Sequence, residues 1–186
     1  MEKQSRIRDE QQERLLLAAA ELVATLGAEA VTMASVAHRS GISRTAVYQY
    51  FDSRDHILGE LVINDMADLA NLLDQKVSVT EDPVEQLKIW VRQTLDYLIS
   101  PSHRLVKEVS IQKLPADIRA LVRGMHGQFM LTLLSPLAKL SPDDSQALAG
   151  YVYSAVVACA SRIEKGGDLE DEAATLERFV LLGVIG

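Results

Sequence analysis

Residues 44–49 carry side chains whose hydrogen-bonding groups match the edges of nucleic acid bases. The guanidinium of Arg44 can donate to O6 and N7 of a guanine, and the amide of Gln49 can pair with an adenine. The methyl groups of Thr45 and Ala46 can contact the methyl group of a thymine. These residue types predict contacts with bases in the major groove of DNA. A phosphate contact or a free, solvated side chain is the alternative for Arg44.

Two short helices are predicted to position these side chains. Thr32 can cap a helix over residues 33–40, and Gly41 permits the sharp turn that ends it. Ser43 can then cap a second helix that continues through Tyr50. Two helices of about eight residues joined by a short glycine turn are typical of a helix-turn-helix, in which the second helix enters the major groove.

The charge distribution bears on this interpretation, because the formal net charge is −7 and DNA-binding surfaces are usually electropositive. Between residues 38 and 54, however, three arginines are accompanied by a single acidic residue, Asp52. We also expect a basic arm ahead of a first helix that begins near Asp9 and ends at Gly27. This arm contains Lys3, Arg6 and Arg8. The expected electrostatic contact with DNA is therefore confined to the helix-turn-helix and this arm.

Apolar residues recur at helical spacing along the rest of the chain, and no alternating run is typical of a strand. The sequence predicts an all-α protein of about nine helices. A three-helix helix-turn-helix domain is expected at residues 1–53 and a C-terminal helical bundle at residues 54–186, for which the family resemblance described below implies effector binding and dimerisation. Beyond the helix-turn-helix, helices are expected over residues 54–77, 84–99, 103–112, 115–134 and 169–184, and from a cap at Ser141 to residue 165. Pro136 is expected to lie beyond the end of the helix over residues 115–134.

The penultimate helix has no continuous polar face between residues 147 and 161. A helix that is apolar all round must be buried all round. We expect its own domain to cover one side and a second subunit to cover the other, as in two-fold homodimers, with burial at the centre of the monomer as the alternative. The residues expected at this interface are Leu148, Tyr151, Val152, Ala155, Ala158, Phe179 and Leu182.

Large or soft side chains in the C-terminal bundle are candidates for a ligand pocket, because helical proteins place ligands between their helices. The candidates are Trp90, Tyr97, Met125, His126, Phe129 and Met130, with Gln128 as a further polar contact. Their apolar character favours a lipophilic small-molecule effector. The alternative for each is plain core packing.

An enzyme is the competing interpretation, with His103, Glu108, His126 and Cys159 as the conceivable catalytic residues. The sequence contains no His-x-x-x-His pair, no Cys-x-x-Cys, no phosphate-binding glycine loop and no nucleophile elbow. We therefore expect no catalytic residue, metal or cofactor, and interpret Cys159 as a small buried apolar residue, with a redox sensor as the alternative. We also expect a cytoplasmic protein without membrane contact, because no apolar stretch is long enough to span a bilayer and no signal peptide is evident.

Residues 31–58 closely resemble the signature of the TetR family of transcriptional regulators. They share a Thr before the second helix, an apolar-Ala pair, Gly-apolar-Ser at the turn, and Tyr and Phe three residues apart. The resemblance implies phosphate contacts from Thr32, Tyr48, Tyr50 and Arg54, with core packing as the alternative for Tyr48. The complete set expected to contact DNA is Thr32, Arg39, Ser43, Arg44, Thr45, Ala46, Tyr48, Gln49, Tyr50 and Arg54.

The resemblance also implies a function: a homodimer that binds a palindromic operator in double-stranded DNA, and most often a repressor that a small-molecule effector releases. Two positions depart from the family pattern. Thr45-Ala46 stands where Gly-Thr is frequent, and Tyr50 stands where His is frequent, so the operator sequence cannot be inferred from relatives. The alternatives are a DNA-binding regulator or activator without a small effector, and a helical enzyme.

Overall fold

The computed structural model describes the backbone of residues 2–186, and the side chains of residues 9–101, 103 and 106–186. Within this part of the chain there are nine α-helices and no strand, which confirms the predicted all-α class. The helices are α1 (Glu2–Leu26), α2 (Met33–Ser40), α3 (Arg44–Val47), α4 (Arg54–Val77), α5 (Pro83–Leu98), α6 (Pro101–Glu108), α7 (Ala116–Leu140), α8 (Ser145–Glu164) and α9 (Leu169–Ile185). None of these helices has both the length and the apolar character needed to cross a bilayer.

Helices α2 and α4 have the predicted bounds, whereas α1 and α3 differ from the prediction. Helix α1 begins at Glu2, so the basic residues of 3–8 belong to this helix and not to an arm ahead of it. The side chains of Lys3, Arg6 and Arg8 lie outside the described residues. Helix α3 ends at Val47, and residues 48–50 form a turn in which the amide of Gln49 donates to the carbonyl of Ala46 at 3.0 Å.

Helix α7 continues past Pro136 to Leu140, so the prediction that it ends by this proline is wrong. A proline inside a helix removes a backbone donor and crowds the preceding turn. The neighbouring Leu133 and Leu137 are both completely buried, and their packing offsets this cost. The predicted cap of α8 is also wrong, because the helix begins at Ser145 and not directly after Ser141.

The chain forms two compact units. Unit 1 extends through Asp65 and includes Arg104–Arg123, and unit 2 consists of Met66–His103 and Gly124–Gly186. Helices α4, α6 and α7 contribute residues to both units. The division predicted between residues 53 and 54 remains a prediction. Within unit 1 the completely buried side chains include Leu15, Val31, Val36, Val47, Phe51 and Ile57.

In unit 2, α8 and α9 pack against each other and both pack against α5. The side chains of Leu87, Trp90 and Leu95 lie at the centre of the core, each completely buried. Burying apolar side chains of this size stabilises the folded state by roughly 1.5–3 kcal/mol each. Only one long side of α8 and α9 is used in this way, and both helices keep exposed residues on their other sides.

Candidate nucleic-acid interface

The start of α2 is fixed by a reciprocal pair of hydrogen bonds between Thr32 and Ser35. The hydroxyl oxygen of Thr32 accepts from the amide of Ser35 at 3.0 Å, and the amide of Thr32 donates to the hydroxyl oxygen of Ser35 at 2.9 Å. This capping box satisfies two amides that would otherwise lack an acceptor at the helix start. The predicted cap at Thr32 is therefore confirmed.

The turn between α2 and α3 depends on Gly41, whose φ of 69° lies in the left-handed region. A side chain at this position would be strained, which explains the glycine. The guanidinium of Arg14 donates to the carbonyl of Ser40 at 2.6 Å and so stabilises the last turn of α2. Ser43 then accepts from the amide of Ala46 at 3.2 Å, which confirms the predicted cap of α3.

The two sides of α3 have different environments. Val47 is completely buried and anchors the segment, together with the buried Phe51 that follows it. Arg44, Thr45 and Gln49 are exposed, whereas Ala46 is half-buried. The segment thus presents polar side chains to solvent from a short helix that is held rigidly by its apolar residues.

Three other residues predicted to contact DNA are placed at the edge of this segment. Tyr48 is 48% exposed. Tyr50 is half-buried, and its hydroxyl donates to the side-chain carbonyl of Gln11. Arg39 lies 3.4 Å from the carboxylate of Glu21 in an exposed ion pair. The hydrogen bond to Gln11 positions the Tyr50 hydroxyl in the absence of DNA, whereas the exposed ion pair of Arg39 is weak.

Arg54 binds the backbone that leads into α2. Its Nε donates to the carbonyl of Val31 and its Nη2 to the carbonyl of Ala28, both at 3.0 Å. Glu108, at the end of α6, accepts from the amide of Ala28 at 2.8 Å. The sequence contains no local signal for this contact, because Ala28 and Glu108 are 80 residues apart in the chain.

The outer sides of α8 and α9 carry large exposed apolar residues. Tyr151, Phe179 and Leu182 are 70%, 64% and 73% exposed. Ala158 is also exposed, and Leu148 and Ala155 are half-buried. Val152 is only 4% exposed and packs into the core, so its place in the predicted interface is wrong: it points away from the neighbouring Tyr151 on the same helix. Val157 and Ile185 belong to the exposed set and were not predicted.

Two of the six residues predicted to line an effector pocket, Trp90 and Phe129, are buried in the core. Trp90 is completely buried, and its indole Nε1 donates to the hydroxyl of Thr132 at 2.8 Å. Its ring packs on Phe129, with the ring centroids 5.2 Å apart. His126 is exposed at the edge of this aromatic group, and Tyr97, Met125 and Met130 are half-buried. Trp90 and Phe129 therefore pack against each other within the core.

A cavity of about 420 Å³, open to solvent on the side where Asp74 and Gln128 are exposed, lies elsewhere in unit 2, between α4, α5 and α7. None of the six predicted residues lines it, although Gln128 does. The lining residues are Ala70, Asn71, Asp74, Val77, Ser78, Gln86, Gln128, Leu131, Thr132 and Ser135. This composition differs from the apolar pocket that the sequence favoured.

The environment of Cys159 bears on the redox alternative. The thiol is 5% exposed, and burial, with a smaller contribution from Glu172, raises its pKa above the usual value. A thiol with a raised pKa is protonated at neutral pH and reacts slowly with oxidants. The structure therefore favours a buried apolar role for Cys159.

Known proteins are similar in sequence to the helix-turn-helix and to longer parts of the chain. Residues 15–61 match the family of bacterial regulatory proteins described as the tetR family. The transcriptional activator FasR of Mycolicibacterium smegmatis is 29% identical over 103 residues, which are 54% of this chain and 47% of that protein. The chain thus spans about half the length of this relative. An HTH-type transcriptional regulator of Mycobacterium tuberculosis is 27% identical over 143 residues, or 75% of this chain and 74% of that protein.

Solved structures share the fold over nearly the whole chain. The regulator FadR of Bacillus subtilis, in complex with stearoyl-CoA, has a TM-score of 0.74 and 14% identity, covering 92% of this chain and 98% of that one. A regulator from Saccharomonospora viridis, in complex with choline, has a TM-score of 0.75 and 18% identity, covering 92% and 96%. PfmR of Thermus thermophilus, a TetR family regulator, has a TM-score of 0.69 and 20% identity, covering 93% and 98%.

Proposed function

Because the chain is a DNA-binding transcriptional regulator of the TetR family, we propose that it is a homodimeric repressor that a small-molecule effector releases from a palindromic operator. One observation carries the proposal. The capped segment of α3 exposes Arg44, Thr45 and Gln49 while Val47 is completely buried. A helix with this polarity can lie in the major groove with its polar side toward the bases. In this proposal residues 1–53 bind DNA, and residues 54–186 bind the effector and the second subunit.

The proposed contacts divide into two groups. Arg44, Thr45, Ala46 and Gln49 contact bases, because they lie on or directly after the recognition helix. The phosphate contacts come from around the helix-turn-helix: Thr32, Arg39, Ser43, Tyr48, Tyr50 and Arg54. Of these, Arg54 already donates to two backbone carbonyls, so its main contribution is to hold the segment before α2 in place.

Dimerisation is proposed through the exposed sides of α8 and α9. Tyr151, Phe179 and Leu182 are each at least 64% exposed in the single chain. Large exposed apolar side chains on two neighbouring helices are typical of a protein–protein interface, and a two-fold interface would cover them. The two helix-turn-helix segments of the dimer, about 34–36 Å apart, would then contact successive major grooves. Binding through both segments compensates for the small number of cations on each one.

Effector release is proposed from the cavity of unit 2 and from the solved structures. A cavity of about 420 Å³ is large enough for a small organic molecule. Two proteins with this fold are in complex with stearoyl-CoA and with choline. Because binding linkage is reciprocal, an effector that weakens operator binding must itself bind more weakly to the protein on DNA.

An activator without a small effector is the second candidate, favoured by the name of the relative FasR, a transcriptional activator. The two candidate functions share the helix-turn-helix and differ in whether binding to DNA lowers or raises transcription. The catalytic interpretation is set aside, because the relatives are named as regulators. The carboxylate of Glu108 also accepts a hydrogen bond from the amide of Ala28 in the free protein.

The test is selection of binding sites from a randomised double-stranded DNA library with the purified full-length protein. We expect enrichment of a palindrome whose half-sites lie about one helical turn apart. The Arg44→Ala variant removes a proposed base contact and should fold normally, because the side chain is exposed. It should lose most of the enrichment. Failure to enrich any site would contradict the proposal. A reporter gene placed behind the selected site then separates repression from activation.

A further inference from the structure

The wall of the cavity in unit 2 carries groups that can donate and accept, on Asn71, Gln128 and Ser135, and two further hydroxyl groups that already donate within the chain. The hydroxyl of Ser78 donates to the carbonyl of Gln75 at 3.1 Å, and the hydroxyl of Thr132 donates to the carbonyl of Phe129 at 2.7 Å. Both hydroxyl protons therefore already have backbone acceptors. What these two residues can offer to a ligand is the remaining acceptor capacity of their oxygens, and Thr132 Oγ1 already accepts from the indole of Trp90.

Gln86 adds an acceptor that is buried and has no partner. The residue is 8% exposed, and its Nε2 donates to the carbonyl of Thr80 at 2.7 Å. Reversing the amide would bring two oxygens together at Thr80, so the orientation is fixed and Oε1 is the free atom. No hydrogen-bond partner reaches this oxygen within the described residues. A buried acceptor without a donor costs free energy, which a donor supplied by a ligand would recover.

Asp74 is the charged residue among the described side chains that line the cavity, and no lysine or arginine accompanies it there. An anionic ligand would meet a carboxylate without a compensating cation. A cationic ligand would form a charge-assisted hydrogen bond with Asp74, which is the strongest kind of polar contact available in this cavity.

From the free oxygen of Gln86 and the carboxylate of Asp74 we propose that the cavity between α4, α5 and α7 binds a small organic cation that donates hydrogen bonds, an amine or a guanidine. Its volume of about 420 Å³ matches a small molecule. Asp74 holds the positive charge, and Gln86 Oε1 accepts from a second donor. That this cation is also the effector rests on the proposed function. The lipophilic effector suggested by the aromatic residues is replaced by a polar one.

Binding is tested on the full-length protein by calorimetric titration and thermal unfolding. The probes are putrescine and agmatine, with tetramethylammonium as a cation without donors and decanoate as a lipophilic anion. We expect putrescine or agmatine to raise the unfolding midpoint, with tetramethylammonium weaker and decanoate without effect. The Asp74→Asn and Gln86→Leu variants should each weaken amine binding by about tenfold or more.

Two matched variants control for the substitutions themselves. Asp68→Asn on α4 and Gln93→Leu on α5 change the same residue types outside the cavity lining and should leave amine binding unchanged. Absence of any midpoint shift with both amines at millimolar concentration would overturn the proposal. Binding of decanoate in their place, or amine binding that Asp74→Asn leaves intact, would do the same.

Operator affinity, measured on the same preparations, separates this inference from the proposed function. Amine binding that depends on Asp74 and lowers operator affinity supports both. If the amine binds in this way without changing operator affinity, the cavity proposal stands and its effector role fails. If the protein selects no DNA site, the proposed function fails whatever the amines do.

Discussion

The carboxylate of Glu108 accepts a hydrogen bond from the backbone amide of Ala28 at 2.8 Å, across a separation of 80 residues. Ala28 begins the 3₁₀ helix that precedes α2, and its carbonyl accepts from the guanidinium of Arg54. The amide and the carbonyl of one residue are thus bound by two oppositely charged side chains. Arg54 also binds the carbonyl of Val31, so the backbone entering the helix-turn-helix is fixed at several points.

Removing the Glu108 carboxylate should destabilise this segment. Glu108→Ala leaves the amide of Ala28 without its acceptor, and we expect the free energy of unfolding to fall by about 1 kcal/mol. Glu108→Gln keeps an acceptor oxygen at the same distance and should lose less. Chemical denaturation of the two variants measures the difference. Equal losses in the two variants would show that the charge, and not the hydrogen bond, stabilises the segment.

The guanidinium of Arg54 should be irreplaceable by an ammonium group. Lysine has the charge but lacks the planar fork that reaches the carbonyls of Ala28 and Val31 together. We expect Arg54→Lys to lower the free energy of unfolding by about 2 kcal/mol, without DNA present. Arg39→Lys, in an exposed pair with Glu21, is the control and should change it little. If Arg54→Lys alters only DNA affinity, Arg54 is a phosphate contact and not a structural one.

Much of the helix-turn-helix could be predicted from the sequence, because the boundaries of its helices depend on local signals. Thr32, Gly41 and Ser43 act through hydrogen bonds and backbone angles within a few residues of themselves. The bounds of α2 and α4 followed from such signals. The extension of α7 past Pro136 could not be predicted in this way, since it depends on burial of Leu133 and Leu137 by other elements.

Sequence patterns carry less information about the candidate sites in unit 2, for a physical reason. Apolar type alone does not distinguish a residue that lines a pocket from one that fills the core, and Trp90 and Phe129 fill the core. The free oxygen of Gln86 exists only because the fold buries it. Likewise, periodicity identified α8 as apolar all round, but only the packing against α5 shows that Val152 faces inward while Tyr151 faces out.

The two interpretations of Arg44 predict different changes on truncation. If Arg44 contacts a guanine, Arg44→Ala should cost about 1–3 kcal/mol in operator binding and relax the preference at one base pair. If it contacts a phosphate, all sequences should weaken alike and the dependence of log K on log salt should decrease by about 1. Titrations of the selected site and of single-base variants at several salt concentrations distinguish these results. Lys139→Ala removes an exposed cation from α7 and should change neither quantity.

The ion pair between Arg162 and Glu172 should give a stability that depends on acid. The guanidinium donates to both carboxylate oxygens, at 2.8 and 2.7 Å, and this hydrogen bonding holds the pKa of Glu172 below its usual value. A lowered pKa means that the contribution is complete above the unfolded-state pKa, about 4.3, and is lost as pH falls through the lower folded-state pKa.

Glu172→Gln tests this directly. The variant should be less stable than the original protein at neutral pH, and the difference should disappear in acid. Unfolding midpoints measured from neutral pH down to about pH 3 give the comparison within the range where free carboxylates titrate. Asp171→Asn, on the same turn of α9, is the matched control. A stability difference between the original protein and the Glu172→Gln variant that stays constant over this range would contradict the assigned cause of the pKa shift.

Charged residues on the exposed side of α9 should separate the proposed dimer. Phe179 and Leu182 are 64% and 73% exposed in the single chain, so Phe179→Glu and Leu182→Glu place charges in water without disturbing the core. In a dimer the same charges would be buried without partners at a cost of several kcal/mol. We expect sedimentation equilibrium to give the dimer mass for the original protein and the monomer mass for the double variant.

Val79→Glu is the matched control for that experiment, because Val79 is 73% exposed but lies after α4 and outside the surface formed by α8 and α9. It should remain dimeric. The monomeric variant should keep its helical circular dichroism. It should lose most of its affinity for the palindrome, because a single helix-turn-helix forms only half of the contacts with DNA. A double variant that stays dimeric would place the interface elsewhere, and a single-chain mass for the original protein would refute dimerisation altogether.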